Sequence, residues 1–576
     1  MILLAALYHR CAFGTALGLS KTQYGTSSNN LNKDCPKGCP LFRLTLLDIP
    51  LLKSKAGIFL LDLFAALLAA VLLSLPDASG RFWPAGFIAL LPILWRVHNR
   101  SYAAIFFVPF LAFFLYLTYI MVWIHQYGWQ WLFVLDFMNS ITYALSFVLL
   151  FFIRRKLKTD LFFIILPIFF VLAEYGKSMG FFAFPWPYLS HGQYANLHFV
   201  QISEFTGAWG VTFLLVWFNT ALFAVITSAN KRRAFLQSVP MLMFLALNFA
   251  YGYSVLSRPL PPAETPVSIF QRDVNTQEEQ TSYFNEVAWV EYYGLTIEEW
   301  TQHLNSKHGG FVVWPEGAVP DALDEFPPGA DILSRHQQIE QLAGRMGKIF
   351  IIGTQTEDER GPYNAAVVFG PAGRQLGIYR KVHIVPFGEV IPLEDYIKSW
   401  FPQYPWGSES LVDGRELKGI RTPEGKVGIV ICYESFFPDL VRHIVNDNCD
   451  YLFLITNTSW FGKSKASYQH AHFDIYRAVE NRIWLSRAAT TGVSSFIDPC
   501  GRRYDETPLY QKAAETRFVG PKLKETLYTH WGDWFPRSLL IIALIILTFA
   551  IYKRNMIGDG GKSHDRFSPV PNFIYI

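Results

Sequence analysis

Apolar positions are unevenly spread along this chain. From Gly57 to about Val255 they gather into long runs separated by short polar loops, beyond that they shrink to short runs, and near the C-terminus one long run returns. Long uncharged runs predict membrane-spanning helices, and short ones bounded by turn residues predict buried strands. Helices are predicted at about 57–75, 82–95, 102–124, 129–153, 160–175, 208–228 and 234–255, the second short and broken by proline, with a last one at about 534–552. Between them, 264 to about 520 reads as one α/β domain with strands at 266–271, 311–314, 349–353, 365–369, 427–431, 451–455 and 493–497 and helices at 330–346 and 468–481. The predicted organisation is a leader at 1–56, a bundle of about seven helices at 57–257, a second domain at 258–532, a C-terminal transmembrane helix at 533–553 and a tail at 554–576.

Charge tests that reading. Lys53 and Lys55 precede the first helix, and alternate loops then carry Arg96 with Arg100, Arg154 to Lys158, Lys231 to Arg233, and finally Lys553 with Arg554. The loops between are almost free of excess positive charge. Basic loops mark the cytoplasmic side, so the N-terminus, the even-numbered loops and the C-terminus are expected inside, with about 258 to 532 outside. Composition agrees, since 51% hydrophobic and 16% aromatic residues exceed what an ordinary soluble domain carries. A net charge of +4 on 576 residues, with no long block of one sign, gives no reason to expect nucleic acid. The six cysteines are too scattered for a disulfide scaffold, and the Cys35 and Cys39 pair lacks the second pair or histidines that a zinc site requires. Residues 1 to 50, with a short apolar opening cut by His9-Arg10, read as a poorly ordered leader or an upstream extension.

The chemistry gathers in the second domain. In Val427-Gly-Ile-Val-Ile-Cys-Tyr-Glu-Ser-Phe-Phe-Pro-Asp-Leu440 a strand runs into Cys432 and a helix opens at Pro438. Such a turn exposes a thiol, and the N–H groups of the helix start favour a thiolate or an oxyanion; a cysteine after Ile-Val-Ile equally reads as buried core. Glu316 follows the strand that ends in Val-Val-Trp-Pro, and Lys381 and Glu389 flank a further apolar run. A carboxylate can take a thiol proton, the thiolate can attack a carbonyl, and an ammonium can steady the oxyanion. Singly, each is a residue that usually just meets solvent at a strand end.

Together, Trp314-Pro-Glu316, Lys381-Val-His-Ile-Val-Pro-Phe-Gly-Glu389 and Ile431-Cys-Tyr-Glu434 followed by Phe437-Pro-Asp439 resemble the Glu-Lys-Cys signature of the nitrilase superfamily. With helices on both sides, and with Phe184-Pro-Trp186, Trp460-Phe-Gly462, Gln469-His470 and Asp498-Pro499, the chain from about 57 to 552 is similar to the superfamily's membrane-embedded branch, the bacterial apolipoprotein N-acyltransferases. The resemblance implies a multi-pass α-helical membrane bundle carrying an α/β nitrilase-like αββα sandwich outside the cell inner membrane. It implies Glu316 as general base, Lys381 as oxyanion stabiliser and Cys432 as nucleophile, supported by Glu389, Tyr433 and Glu434. It further implies a phospholipid acyl donor, typically phosphatidylethanolamine, a diacylglyceryl apolipoprotein acceptor, and no metal or other cofactor.

Aromatic segments are candidates for substrate contact: Trp400 and Phe401 after Glu389, and Trp460. The loop from Phe181 to Tyr194 reads either as an interfacial aromatic belt or as a mouth for lipid. The segment after Gln271 departs from the family, lacking its usual Trp, and Ser467 stands where Pro is usual. Two other readings use the same residues: a tethered amidase that gives its thioester to water, and a silent scaffold that binds lipoproteins.

Overall fold

The computed structural model describes residues 54–98, 100–157, 162–181, 183–272, 282–299, 309–322, 334–400 and 410–558. The leader up to residue 53 with its Cys35 and Cys39, most of the loop after Gln271, Phe401, and the tail beyond 558 lie outside the described residues. Among the described residues, six helices are long and apolar enough to cross a bilayer. They are α1 (Lys55–Ala78), α3 (Tyr102–Ile120), α4 (Trp129–Leu157), α6 (Ala208–Thr227), α7 (Lys231–Leu256) and the C-terminal α12 (Trp534–Gly558), whose apolar part ends at Tyr552. The predicted helix at 160–175 is α5 (Phe162–Lys177), of 16 residues.

The predicted helix at 82–95 is not continuous. Pro84 and Pro92 deny it backbone donors, and it resolves into a 3-10 turn, Gly80–Phe87, and a seven-residue helix α2 (Leu91–Val97). A break in such a bundle leaves backbone groups that must find partners inside the protein. Asn219 on α6 supplies them: its side chain accepts from the Leu90 N–H (3.0 Å) and donates to Gly86 O (2.9 Å).

The second domain holds two six-stranded sheets among the described residues. In the first, β1 (Thr265–Gln271), β2 (Phe311–Ala322) and β3 (Ile349–Asp358) run parallel, flanked by antiparallel β12 (Ala513–Val519) on one side and β4 (Gly361–Phe369) with β5 (Gln375–Arg380) on the other. In the second, β7 (Gly425–Ile431), β8 (Tyr451–Thr456) and β9 (Leu485–Ala489) are parallel, flanked by β6 (Ile420–Thr422) and by β10 (Ser495–Ile497) with β11 (Arg503–Tyr504). Strand periodicity sorts the cores. Phe311, Val313, Ile349 and Ile351 face the second sheet and join Ile429, Ile431 and Phe453, whereas Val312, Trp314, Phe350 and Ile352 face outward against α8 (Ser282–Glu299) and α9 (Arg335–Met346). Helices α10 (Pro438–Asn446) and α11 (Ala466–Asn481) cover the other sheet, completing the αββα sandwich.

Helix α11 does not meet water. Apart from Tyr468 it is buried throughout, and Phe473 and Tyr476 belong to the same apolar cluster as the bundle residues Trp186, Tyr188 and Trp209. Polar groups lock the same contact. Arg482 pairs with Glu204 and donates to Gln201 Oε1 (2.7 Å) and Pro499 O (2.8 Å). Glu480 accepts from the Ala208 N–H (3.0 Å), and Trp209 donates to Asp533 (2.9 Å). Removing one partner of a buried ion pair costs far more than removing both. Arg482→Met should therefore lower stability by roughly 3–5 kcal/mol, and adding Glu204→Gln should recover part of the loss in thermal melts of detergent-solubilised protein; a double variant no better than the single would refute the coupling.

Candidate active site

The strand β7 stops at Ile431 because Cys432 takes φ +51°, a left-handed conformation uncommon for a residue with a side chain. A 3-10 turn, Cys432–Phe436, follows, and Pro438 then opens α10. Glu434 holds this turn. It is fully buried, and its carboxylate accepts from the N–H groups of Ile431 (2.8 Å), Val382 (2.7 Å) and His383 (3.2 Å) and from the Tyr379 hydroxyl (2.9 Å). One side chain of the second sheet thereby fixes the end of β5, where Lys381 stands. Tyr433 fixes the turn from the other side, donating to Ala183 O (2.7 Å) in the aromatic loop of the bundle.

Glu316 lies within β2 rather than beyond it, as the sequence predicted, because β2 resumes pairing after a register break between Trp314 and Val319. Breaks of this kind re-aim a side chain. This one is permitted by Gly353 on β3, where a Cβ would come within 2.2 Å of Pro315 O. Lys381, 1% exposed at its side chain, reaches Glu389 at 2.8 Å and Glu316 at 3.5 Å. Asn364 on β4 donates to both carboxylates, at 2.6 Å to Glu316 and 2.8 Å to Glu389. The Asn457 N–H, just after β8, donates to the other oxygen of Glu316 (2.6 Å), and the Val385 N–H to the other oxygen of Glu389 (2.8 Å). The site thus sits at the carboxyl ends of the central parallel strands, where the two sheets face each other.

Burial would by itself depress the Lys381 ammonium; Glu389 and then Glu316 outweigh it and hold its pKa well above the usual amine range. Burial and the Glu316 charge push the Cys432 thiol up to about 12, with Lys381 only partly offsetting them. The resting group is therefore a thiol. Of the two sequence readings, an activated thiol at a turn and a buried core cysteine, burial governs the resting thiol: desolvation and the Glu316 charge outweigh Lys381. His383 is held down at about 4 by burial and by Lys381, so it stands there as a neutral ring. A thiol beside carboxylates and a fixed ammonium can be deprotonated on demand and can face an oxyanion with a positive charge.

The aromatic candidates separate. Trp460, 52% exposed on a 3-10 turn, is held by its carbonyl, which accepts from Gln126 and Tyr127 beyond the end of α3. Trp400 is 74% exposed at the end of the helix Glu394–Trp400, and no described contact draws it toward Lys381. Most of the aromatic loop is neither belt nor open mouth: Trp186 is buried among Trp123, Phe436, Phe461 and Phe473. Two site residues escaped the sequence reading, Asn364 and Asn457. The only signal for Asn364 was a polar residue among the apolar ones of β4.

A family model described as apolipoprotein N-acyltransferase N-terminal domain matches residues 69–221, and one described as carbon-nitrogen hydrolase matches residues 295–516. The apolipoprotein N-acyltransferase of Geobacter metallireducens is 30% identical over 512 residues, covering 86% of this chain and 96% of its own. That of Chlorobaculum tepidum is 28% identical, covering 85% and 97%. Among solved structures, Saccharomyces cerevisiae Nit3 of the nitrilase superfamily matches with 18% identity and a TM-score of 0.35, over 49% of this chain and 98% of its own.

The electrostatics give signed expectations for Cys432. Its alkylation by iodoacetamide should be slow near neutral pH and rise toward about pH 12. Glu316→Gln removes a negative charge and should move that profile to lower pH; Lys381→Met removes the opposing cation and should move it higher. Shifts of the reverse sign would show that another group governs the thiol.

Proposed function

The chain belongs to the apolipoprotein N-acyltransferase family, and we propose that it works by two acyl transfers through Cys432. It is a membrane enzyme of the nitrilase superfamily that N-acylates lipoproteins. In the first half-reaction Glu316 takes the Sγ proton, and the thiolate attacks the ester carbonyl of a membrane phospholipid, with phosphatidylethanolamine as the expected donor. Lys381 faces the oxyanion of the tetrahedral intermediate, held in place by Glu389. As the intermediate collapses, the C–O bond breaks, Glu316 returns its proton to the leaving lysophospholipid oxygen, and a thioester remains on Cys432. In the second half the α-amine of a diacylglyceryl-cysteine attacks the thioester, Glu316 accepts the amine proton, and the proton passes to the departing thiolate. The amide is formed and the thiol restored.

The observation that carries this reading is the buried Lys381 gripped by Glu316 and Glu389 beside the Cys432 turn, which Tyr433 ties to the membrane bundle. Tyr433 and Glu434 position the nucleophile. We assign the domain at 258–532 to the periplasmic side of the inner membrane, where the alternation of basic loops puts it, flanked by the bundle at 57–257 and the helix at 533–553. Hydrolysis to water is the weaker alternative, because a soluble amide needs no nucleophile anchored to a lipid-facing bundle.

Incubating the purified protein with phosphatidylethanolamine should add one acyl mass that hydroxylamine removes, and Cys432→Ser should acquire none. A wild-type protein that stays unmodified while hydrolysing small amides would transfer the assignment to the amidase reading. Asn364→Leu, which removes one donor from each carboxylate, should lower kcat by about 10²-fold while leaving the melting temperature within a few degrees; unchanged turnover would remove Asn364 from the positioning role.

A further inference from the structure

When Cys432 gives up its proton, a negative charge forms on a buried sulfur that already faces Glu316. The cation beside it is engaged elsewhere. Lys381 lies 2.8 Å from Glu389 and 3.5 Å from Glu316, and in the two-step reading it faces the carbonyl oxyanion. A buried anion is unfavourable unless hydrogen-bond donors meet it, so the sulfur calls for a donor of its own.

The second sheet supplies one. Strands β7 and β8 run parallel with Ile431 beside Ile455, so the next residues, Cys432 and Thr456, stand side by side at the carboxyl ends of the two strands. Thr456 is fully buried, and its hydroxyl makes no hydrogen bond among the described residues. Neighbouring threonines are not left in that condition. The Thr458 hydroxyl donates to Gly492 O (2.6 Å) and lies 3.0 Å from that of Thr491, and Thr490 donates to Glu316 O (3.2 Å). A buried hydroxyl without a partner disfavours the folded state, and this one adjoins the atom on which charge develops. Together with Lys381 it already favours the ionised sulfur. A donor that is idle against the thiol and engaged by the thiolate stabilises the reacting state and not the resting one.

We propose that Thr456 is a further catalytic residue, its hydroxyl donating to Sγ of Cys432 as Glu316 withdraws the thiol proton and again as the thioester releases the sulfur. The proposal rests on the reading that Cys432 is the acyl-carrying nucleophile. No proton leaves Thr456: the S–H proton goes to Glu316, and the threonine keeps its own while directing it at sulfur. Being neutral, the hydroxyl eases ionisation without holding a free thiolate at rest.

Thr456→Val deletes the hydroxyl at nearly constant volume, and Thr456→Ser keeps it. The groups that face Cys432 are unchanged in both: Glu316 from β2, Lys381 and Glu389 beyond β5, Tyr127 after α3, and His470 of α11, which burial keeps neutral and which meets the Cys432 backbone. In the full-length protein, iodoacetamide labelling of Cys432 is followed against pH by peptide mass. The rising limb should move to higher pH by at least about half a unit in Thr456→Val, with a melting temperature no lower than wild type, and Thr456→Ser should keep the wild-type curve. Acylation of Cys432 from phosphatidylethanolamine vesicles should slow about fivefold in the valine variant alone. Should valine unsettle the fold, Thr456→Ser against Thr456→Ala, which differ by the hydroxyl only, makes the same comparison. A valine curve that coincides with wild type would overturn the proposal, and so would an equal shift in Thr456→Ser, which assigns the effect to the lost methyl group. A wild type that takes no acyl group from phospholipid, while the labelling curve still moves in Thr456→Val, would strike the acyl-transfer reading and leave the Thr456 contact standing.

Discussion

Glu434 is the carboxylate on which the site depends. It carries no exposed surface, and its donors come from three places in the chain: the turn it belongs to, the backbone just past Lys381, and a tyrosine of β5. Burying such a group is unfavourable unless its oxygens are filled. Filling them requires the two sheets to meet in one register, with the Cys432 turn of one against the Lys381 strand of the other. Burial still pushes Glu434 up to about 7, so the arrangement holds a real electrostatic cost in place. The distances among Glu316, Lys381, Glu389 and Asn364 are then consequences of how the sheets pack.

A second constraint joins the halves of the protein. In a free-standing αββα domain the helices over the second sheet would present a polar face to water. Here α11 offers Phe473, Tyr476 and the buried ion pairs of Arg477 with Glu480 and Arg487 with Asp474 (2.8 and 2.6 Å) to protein on every side. The bundle and the α/β domain share one apolar core, and Trp186 is part of it. The aromatic loop is rich in large rings for packing, whereas its composition alone read as a membrane belt or a mouth for lipid.

Much of this was legible beforehand. Long apolar runs and alternating basic loops located the spanning helices, and the chemistry-bearing residues stood out because turns and prolines isolate them at strand ends. What was not legible came from partners distant in sequence. The broken helix near Pro84 depends on Asn219, over a hundred residues away, and the bulge at Glu316 depends on the bare backbone of Gly353. Strands such as β5, β9 and β12 carry charged or small residues, and only their pairing makes them strands. Asn364 shows the same limit, since its role appears only when two carboxylates arrive from other segments.

The high pKa of Cys432 also bears on its chemical survival. Oxidants and soft metals attack the thiolate, and a thiol that ionises only near pH 12 offers almost none. On the outer face of a membrane, away from the reducing cytoplasm, an ordinary nucleophilic cysteine drifts toward sulfenic acid or a mixed disulfide. With the domain on the outer side and Cys432 as the nucleophile, as proposed above, a cysteine that keeps its proton until substrate arrives would be spared that oxidation.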